Sequence, residues 1–424
     1  MADVAVYTLG CKVNQAESDE LKSGLEKAGH RIVMDVALAD LCVVNTCTVT
    51  SESDRKCRKL IRMLGRRGAS SIVVAGCYAE VNPGDLESLP GVVRVIPNTR
   101  KEGWLEEITS LLPEGGRGGA GTWRRRARAF IKVQDGCERG CSYCIVPRAR
   151  GRERSRPPAE VMRAVSSCLE AGAGELVLCG VNLGRYRHDG GTDLAALVRQ
   201  VLSAGEDFRV RMSSIEVEDL RDEWLAEWAS FGRVCPHLHL PLQSGDEDVL
   251  RDMGRGYGPR DFLAAVGAMR ETWPEAALTT EVIVGLPGED EGSFLRTLKV
   301  LREAMPARLH VFRFSPRPGT RAWGRGDVPS PREAEKRSAV LRQLAEEWRL
   351  GYIEERRGEI RGLLVENLAS GESGDTAFGT TEDFIKGAAP GVEGDVRTGE
   401  ILYLEIRGVF EGMALLGQAA RTAD

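Results

Sequence analysis

Cys137-Glu138-Arg139-Gly140-Cys141-Ser142-Tyr143-Cys144 sets three cysteines at C-x3-C-x2-C spacing, just after the apolar run Ala129 to Val133. Thiolates at this spacing suit an iron–sulfur cluster, because cysteine sulfur is the usual protein ligand of such clusters. The count of three is informative. A four-iron cluster held by three thiolates keeps one iron free for a small molecule, as catalytic metal sites keep an open position. A structural zinc loop would want a fourth ligand, and no His or further Cys lies within twenty residues on either side.

The chain around this loop has 424 residues, 42% of them hydrophobic, enough for about three domains with sizeable cores. It runs from Met1-Ala2-Asp3 straight into an apolar strand, and it has no apolar run long enough to span a bilayer. A cytoplasmic protein without a membrane partner is expected. Eleven cysteines in a reducing compartment argue for metal binding or catalysis, not for a disulfide framework. The net charge of −5 does not advertise nucleic acid. Between Arg117 and Arg156, however, twelve Lys/Arg stand against three acids. That stretch holds Arg124-Arg125-Arg126 and the alternating Arg148, Arg150, Arg152, Arg154 and Arg156. Such a patch suits phosphates, the alternative being a solvated basic surface.

Residues 1–98 alternate short apolar runs with helical patterns, for example Cys57, Leu60, Ile61 and Leu64 at i, i+3, i+4, i+7. This predicts a parallel α/β sheet. Its strands end at Gly10-Cys11, at Asn45-Thr46-Cys47 and at Gly76-Cys77. Ligands of open α/β sheets sit at the carboxyl ends of strands, so Cys11, Cys47 and Cys77 read as a second three-thiolate site. Cys42 and Cys57 read as buried core.

Residues 99–122, with Gly115-Gly116, Gly118-Gly119 and Gly121, read as a linker. From 123 to 350 the alternation resumes, with candidate strands at 129–133, 175–179, 210–213, 237–240, 278–284 and 309–314. Six such units suit a partial (β/α)6 barrel with its chemistry at the carboxyl ends of the strands. His237 and His239 share a strand face and read as ordinary hydrogen-bonding residues. From 352 to 420 short strands and glycine-rich turns predict a small β-barrel for binding or docking.

Taken together these residues resemble the radical S-adenosylmethionine (SAM) methylthiotransferases along essentially the whole chain. The resemblance is carried by Thr8-Leu9-Gly10-Cys11-Lys12-Val13-Asn14-Gln15, Val44-Asn45-Thr46-Cys47 and the Cys137 loop. It continues through Gly151-Arg152-Glu153-Arg154-Ser155-Arg156, Ser213-Ser214-Ile215-Glu216 and Pro241-Leu242-Gln243-Ser244-Gly245. Val282-Ile283-Val284-Gly285-Leu286-Pro287 and Ser315-Pro316-Arg317-Pro318-Gly319-Thr320 complete it. Lys12-Val13-Asn14-Gln15 and Ser53-Asp54-Arg55-Lys56 resemble the branch acting on N6-threonylcarbamoyladenosine in tRNA. The other branches act on isopentenyladenosine or on a ribosomal-protein aspartate. Val217, the pair Arg313-Phe314, and Asp383-Phe384 depart from the family pattern.

The resemblance implies an N-terminal cluster domain, a radical SAM barrel and a C-terminal RNA-binding TRAM barrel. It implies two [4Fe-4S] clusters and SAM as cofactors. Cys137, Cys141 and Cys144 would hold the SAM-cleaving cluster, and Cys11, Cys47 and Cys77 an auxiliary, sulfur-carrying one. SAM would lie along Asn182, Ser214, Glu216, Gln243, Val282 and Gly285, with Glu216 on ribose hydroxyls because a carboxylate accepts two hydrogen bonds. Arg124, Arg125, Arg126, Arg152 and Arg154 would meet the tRNA anticodon stem-loop. A reductant protein and a sulfur donor are further expected partners. A non-catalytic RNA-binding iron–sulfur protein is the reading of another class.

Overall fold

The computed structural model describes residues 1–112, 126–371, 374–392 and 394–418. The chain divides into two compact units. One comprises Met1–Arg125, Gln134–Arg154 and Ser315–Gly324; the other comprises Arg126–Val133, Ser155–Phe314 and Arg325–Asp424.

The first unit is built on a parallel sheet of β1 (Asp3–Thr8), β2 (Arg31–Ile32), β3 (Leu41–Thr46), β4 (Ile72–Gly76) and β5 (Val92–Pro97). The strand order is β2-β1-β3-β4-β5. Helices cover both faces, and β3 and β4 are accordingly buried at every residue. Helix α1 (Lys12–Lys27) sends Leu21 and Leu25 into one face, and α2 (Ser51–Arg66) sends Cys57, Ile61 and Leu64 into the other. Each such aliphatic side chain contributes on the order of 1.5–3 kcal/mol by leaving water. Thr50 caps α2 by accepting from the Ser53 amide, which fixes where the helix starts. Cys42 and Cys57 lie in the apolar core. A short helix, α3 (Cys77–Val81), follows β4 directly.

Part of the expected linker 99–122 is helical and packed. Helix α4 (Trp104–Thr109) buries Trp104 and Ile108 in the same core as Leu21 and Leu25. The glycine cluster drew the boundary too early, because two apolar residues at i, i+4 already commit 104–109 to the sheet. The glycines themselves lie outside the described residues.

In the second unit six parallel strands follow one another: β6 (Arg128–Lys132), β7 (Glu175–Cys179), β8 (Arg209–Met212), β9 (His237–His239), β10 (Ala277–Val284) and β11 (Arg308–Arg313). Bridges from Val210 to Val234 and from Ser214 to His239 join the two three-stranded halves, giving the partial barrel. Two of its helices, Pro158–Glu170 and Pro259–Thr272, start at prolines, as expected for a first helical position.

Helix α5 (Pro331–Glu355) then leads into a closed five-stranded barrel of β12 (Ile360–Gly371), β13 (Gly374–Thr380), β14 (Lys386–Val392), β15 (Ile401–Phe410) and β16 (Met413–Gly417). Tyr352, read as the start of the β module, is still helical, and Ile353 packs into the small barrel's core.

The amino-terminal mouth of the large barrel is closed by the turn Thr381-Glu382-Asp383-Phe384. Arg209 donates to the carbonyls of Gly362 and Thr380 at 2.7 and 2.8 Å, and Arg211 to those of Thr381 and Glu382 at 3.0 and 2.8 Å. Both arginines chelate the fully buried Glu175. The Phe384 ring lies 4.6 Å from His237 and within 5.0–5.6 Å of the guanidinium groups of Arg211, Arg308 and Arg128.

Candidate functional site

The parallel register of β1, β3 and β4 sets Thr8 beside Asn45, and Thr46 beside Gly76. The next residues of all three strands therefore emerge at one sheet edge, and they carry Cys11, Cys47 and Cys77. Two of the thiols stand at helix starts, Cys11 as the cap of α1 and Cys77 as the first residue of α3, while Cys47 lies in the loop three residues before Thr50, the cap of α2. Helix amino ends favour the thiolate over the thiol.

Gly10 has φ +113, and a Cβ there would stand 2.8 Å from Cys47 Cβ and 3.2 Å from its Sγ. Only glycine lets the Cys11 loop come this near. Burial pushes the Cys47 thiol up to about 11, and Cys77 and Cys11 add to the effect. Burial also raises Cys77, against the pull of the nearby Arg150 guanidinium. Thiols that oppose one another's ionisation in this way are suited to a shared cation-rich group that takes all three as thiolates.

Five residues assigned no role at these thiols from the sequence surround the trio. Asn14 is fully buried, and its amide donates to the carbonyls of Leu9 and Thr46, at 3.0 and 2.9 Å, on the approaches to Cys11 and Cys47. Asn98 donates to Cys77 Sγ at 3.4 Å and to the Ala149 carbonyl at 2.7 Å. Arg150 donates to Asn14 Oδ1 at 2.5 Å, to Asp135 Oδ1 at 2.8 Å and to Glu17 at 3.0 and 3.2 Å. Lys101 adds a second cation, 2.9 Å from Glu17 and also bonded to Asp135. Burial works against the Arg150 charge, but the thiols and carboxylates around it hold the group well above its ordinary value. Arg317, in the matched motif Ser315 to Thr320, reaches Thr48 Oγ1 at 2.7 Å and Asp54 Oδ2 at 2.6 Å. Motif membership was the available signal for Asn14, Asp54 and Arg317. Their mutual contacts were not visible in it.

The Cys137 loop belongs to this same unit. A Cβ on Gly136, where φ is +74, would overlap the Arg152 carbonyl oxygen at 1.9 Å, so the loop can close only on glycine. The Cys137 amide donates to the Gly151 carbonyl at 3.1 Å, and the Cys144 amide to the Cys141 carbonyl at 3.2 Å. The segment Ser315–Gly324 clamps the loop: Arg321 donates to the Gly140 carbonyl at 2.6 Å, the Ala322 amide to Ser142 at 2.8 Å, and Arg148 to the Pro318 carbonyl at 2.7 Å. All six cysteines are free thiols. Among the described residues no three His, Cys, Asp or Glu side chains form a single-ion site. The donor set, three thiols in each group without imidazole or carboxylate, fits an iron–sulfur cluster.

In the second unit the residues expected to line SAM fall at the carboxyl ends of the barrel strands. Asn182, past β7, is buried. Ser214 and Glu216 follow β8, and Gln243 follows β9. Gln243 takes φ +63 and donates to Glu281 Oε1 at 2.8 Å, while its own Oε1 is buried without a protein partner. Burial would raise the Glu281 carboxyl, but His239 and Gln243 outweigh it and hold it below its ordinary value. His237 and His239 both meet Thr279 Oγ1 at 2.9 Å, the hydrogen-bonding role expected of them.

Two of the expected contacts look different. Glu216 is ion-paired with the buried Arg255, so one carboxylate oxygen is engaged within the protein. Gly285 backs onto Ala334 of α5, and a Cβ there would stand only 2.8 Å from the Ala334 Cβ, closer than two carbons can approach. Close helix packing is thus enough to demand glycine there. Val282 is fully buried in β10.

The alternating arginines do not act as one patch. Arg150 is buried in the network above, Arg148 holds Pro318, and Arg156 donates to the Lys132 carbonyl at 3.0 Å. Arg152 stays 90% exposed and Arg154 49% exposed. Arg126 is exposed and lies over the Phe130 ring. Arg124 and Arg125 lie outside the described residues.

A model of the radical SAM superfamily matches residues 131–301, and one of an uncharacterized protein family, UPF0004, matches residues 3–97. The chain is 39% identical to the threonylcarbamoyladenosine tRNA methylthiotransferase MtaB of Thermotoga maritima, over 86% of this chain and 87% of that one. Against the protein of the same name from Chlamydia pneumoniae identity is 34%, over 97% and 96%. The tRNA-2-methylthio-N(6)-dimethylallyladenosine synthase of Geobacter metallireducens is 30% identical over 89% and 90%. Among solved structures, the radical SAM methyltransferase TsrM of Kitasatospora setae aligns with a TM-score of 0.55 at 16% identity, covering 74% of this chain and 75% of that one. At that identity the likeness concerns the fold.

Proposed function

The chain belongs to the radical SAM methylthiotransferases, and from that premise we propose that it adds a methylthio group to C2 of N6-threonylcarbamoyladenosine beside the anticodon of tRNA. A [4Fe-4S] cluster with SAM, when bound, supplies a 5′-deoxyadenosyl radical, the reagent needed because a thiolate cannot displace hydride from an unactivated aromatic carbon. Cys137, Cys141 and Cys144 would hold that cluster. Cys11, Cys47 and Cys77 would hold a second one, which carries the sulfur to be methylated. Gln243 Oε1 would accept from a SAM amino group, which satisfies its buried lone pairs. Asn182, Ser214 and the free oxygen of Glu216 would bond the remaining polar groups of SAM, with Val282 and Gly285 beside the adenine. Arg126, Arg152 and Arg154, with Arg124 and Arg125, would meet tRNA phosphates, and the small C-terminal barrel would bind the stem-loop. A reductant supplies the electron, and a separate donor supplies the sulfur.

The observation that carries this reading is the gathering of Cys11, Cys47 and Cys77 beyond the ends of three neighbouring parallel strands, in a chain that holds the Cys137 loop as well. Its test is mass spectrometry of tRNA nucleosides from cells with and without the gene. Loss of the 2-methylthio nucleoside, with accumulation of the threonylcarbamoyl parent, is the expected result. Accumulation of the isopentenyl parent would move the substrate to the other tRNA branch. Unchanged tRNA would point to the ribosomal-protein aspartate, or to a non-catalytic role if purified protein also fails to cleave SAM. In the purified enzyme, replacing Cys11, Cys47 and Cys77 by Ala should abolish methylthio transfer while 5′-deoxyadenosine still forms. Replacing Cys137, Cys141 and Cys144 should abolish both.

A further inference from the structure

The dipeptide Ala149-Arg150, a few residues beyond Cys144, is linked through Asn98 and Asn14 to the segments that carry the other thiol trio. The Ala149 carbonyl accepts from Asn98 Nδ2 at 2.7 Å, and the same amide group donates to Cys77 Sγ at 3.4 Å. Arg150 Nη2 donates to Asn14 Oδ1 at 2.5 Å, while Asn14 Nδ2 donates to the Leu9 and Thr46 carbonyls. Those two carbonyls sit on the segments that deliver Cys11 and Cys47. Arg150 is also fixed from behind by Glu17 and by Asp135, which lies just before the Cys137 loop. Arg150, Asn14, Glu17, Asp135 and Asn98 are all buried. Burial of this many polar groups is costly unless each is paired, and here the pairs link one cysteine group to the other.

We propose that Asn98 and Arg150 are positioning residues that couple the two cysteine sites. They hold the auxiliary thiols in register with the loop of the SAM-cleaving cluster, and they place a hydrogen bond and a positive charge beside the auxiliary cluster. The inference rests on the two-cluster reading above. Hydrogen bonds and cationic charge near cluster sulfur stabilise the reduced form, so both residues raise the potential of the auxiliary cluster. Tight registration also makes each radical formed productive.

The test uses reconstituted full-length enzyme and the variants Asn98→Ala, Arg150→Lys and Arg150→Met. Potentials are read by EPR-monitored redox titration, with each cluster isolated by removing the other cysteine trio. Asn98→Ala should shift the auxiliary potential to more negative values and leave that of the SAM-cleaving cluster in place. Arg150→Lys keeps the charge but loses the fork to Asn14, so its potential should stay near wild type. Its ratio of 5′-deoxyadenosine to methylthiolated product should nonetheless rise about 10-fold, the scale of a lost outer-shell partner. Arg150→Met should do both, and if it fails to fold the other two variants carry the test. Unchanged potential and unchanged ratio in Asn98→Ala and Arg150→Lys would overturn the proposal. So would equal shifts at both clusters, which indicate general loosening. An iron count separates this from failure of the underlying reading: roughly eight irons per wild-type chain support two clusters, and roughly four overturn them.

Discussion

Glu175 has no access to solvent, yet it is ionised, because Arg209 and Arg211 each bond its carboxylate at 2.7–2.9 Å. Burial alone would raise its pKa; the two arginines outweigh burial and drive it well below the ordinary range. Removing one member of a buried charge cluster strands the others, at a cost of about 3–5 kcal/mol. Glu175→Gln should therefore lower stability to denaturant by that amount near neutral pH. A folded-state pKa below the unfolded value of about 4.3 means the contribution is complete above that pH and fades as pH falls. The gap between wild type and Glu175→Gln, measured by thermal unfolding, should shrink between about pH 5 and about pH 3. In sequence, Glu175, Arg209 and Arg211 are merely charged residues at strand starts. Their partnership exists only once β7 and β8 lie side by side.

Among the elements, the turn Thr381-Glu382-Asp383-Phe384 has a role its sequence did not announce. It departs from the family pattern at Asp383 and Phe384, yet both side chains are committed inside the protein. Asp383 accepts from Tyr352 and lies 3.4 Å from Arg361, and Phe384 sits among Arg128, Arg211, Arg308 and His237. Phe384 adopts φ +69, an uncommon conformation for a bulky residue, stabilised by these contacts. Phe384→Ala should cost on the order of 2 kcal/mol through lost packing and cation–π contact. Phe384→Tyr should stay within about 1 kcal/mol of wild type, since the ring is kept. Urea unfolding of the full chain measures both. Larger loss in the Tyr variant would show the ring to be enclosed more tightly than this geometry allows.

For the whole molecule, net charge −5 gives no general attraction for RNA, and in the proposed function the exposed Arg152 and Arg154 are among the groups that would meet tRNA phosphates. Arg152→Ala and Arg154→Ala should each lower the dependence of log Kd on log salt by about 1 in a filter-binding titration with tRNA. Arg148→Ala, whose guanidinium is engaged with Pro318, should change that slope less. No helix among the described residues is long and apolar enough to cross a membrane. The sequence by itself determined the succession of a parallel α/β domain, a six-unit partial barrel and a small β-barrel, because strand and helix periods are local properties. The spacing of Cys137, Cys141 and Cys144, and the positions of Cys11, Cys47 and Cys77 after short apolar runs, are local features too; that the strands leading to the latter three lie side by side is not. Only the tertiary structure decided that Arg150, outwardly one of five alternating arginines, is buried among Asn14, Glu17 and Asp135 while Arg152 faces water. It alone paired Glu216 with Arg255 and Arg317 with Asp54, and folded Trp104 and Ile108 into the first core. The reason is physical: whether a charge is solvated or paired depends on which remote segments pack around it, and nothing in the local sequence fixes that.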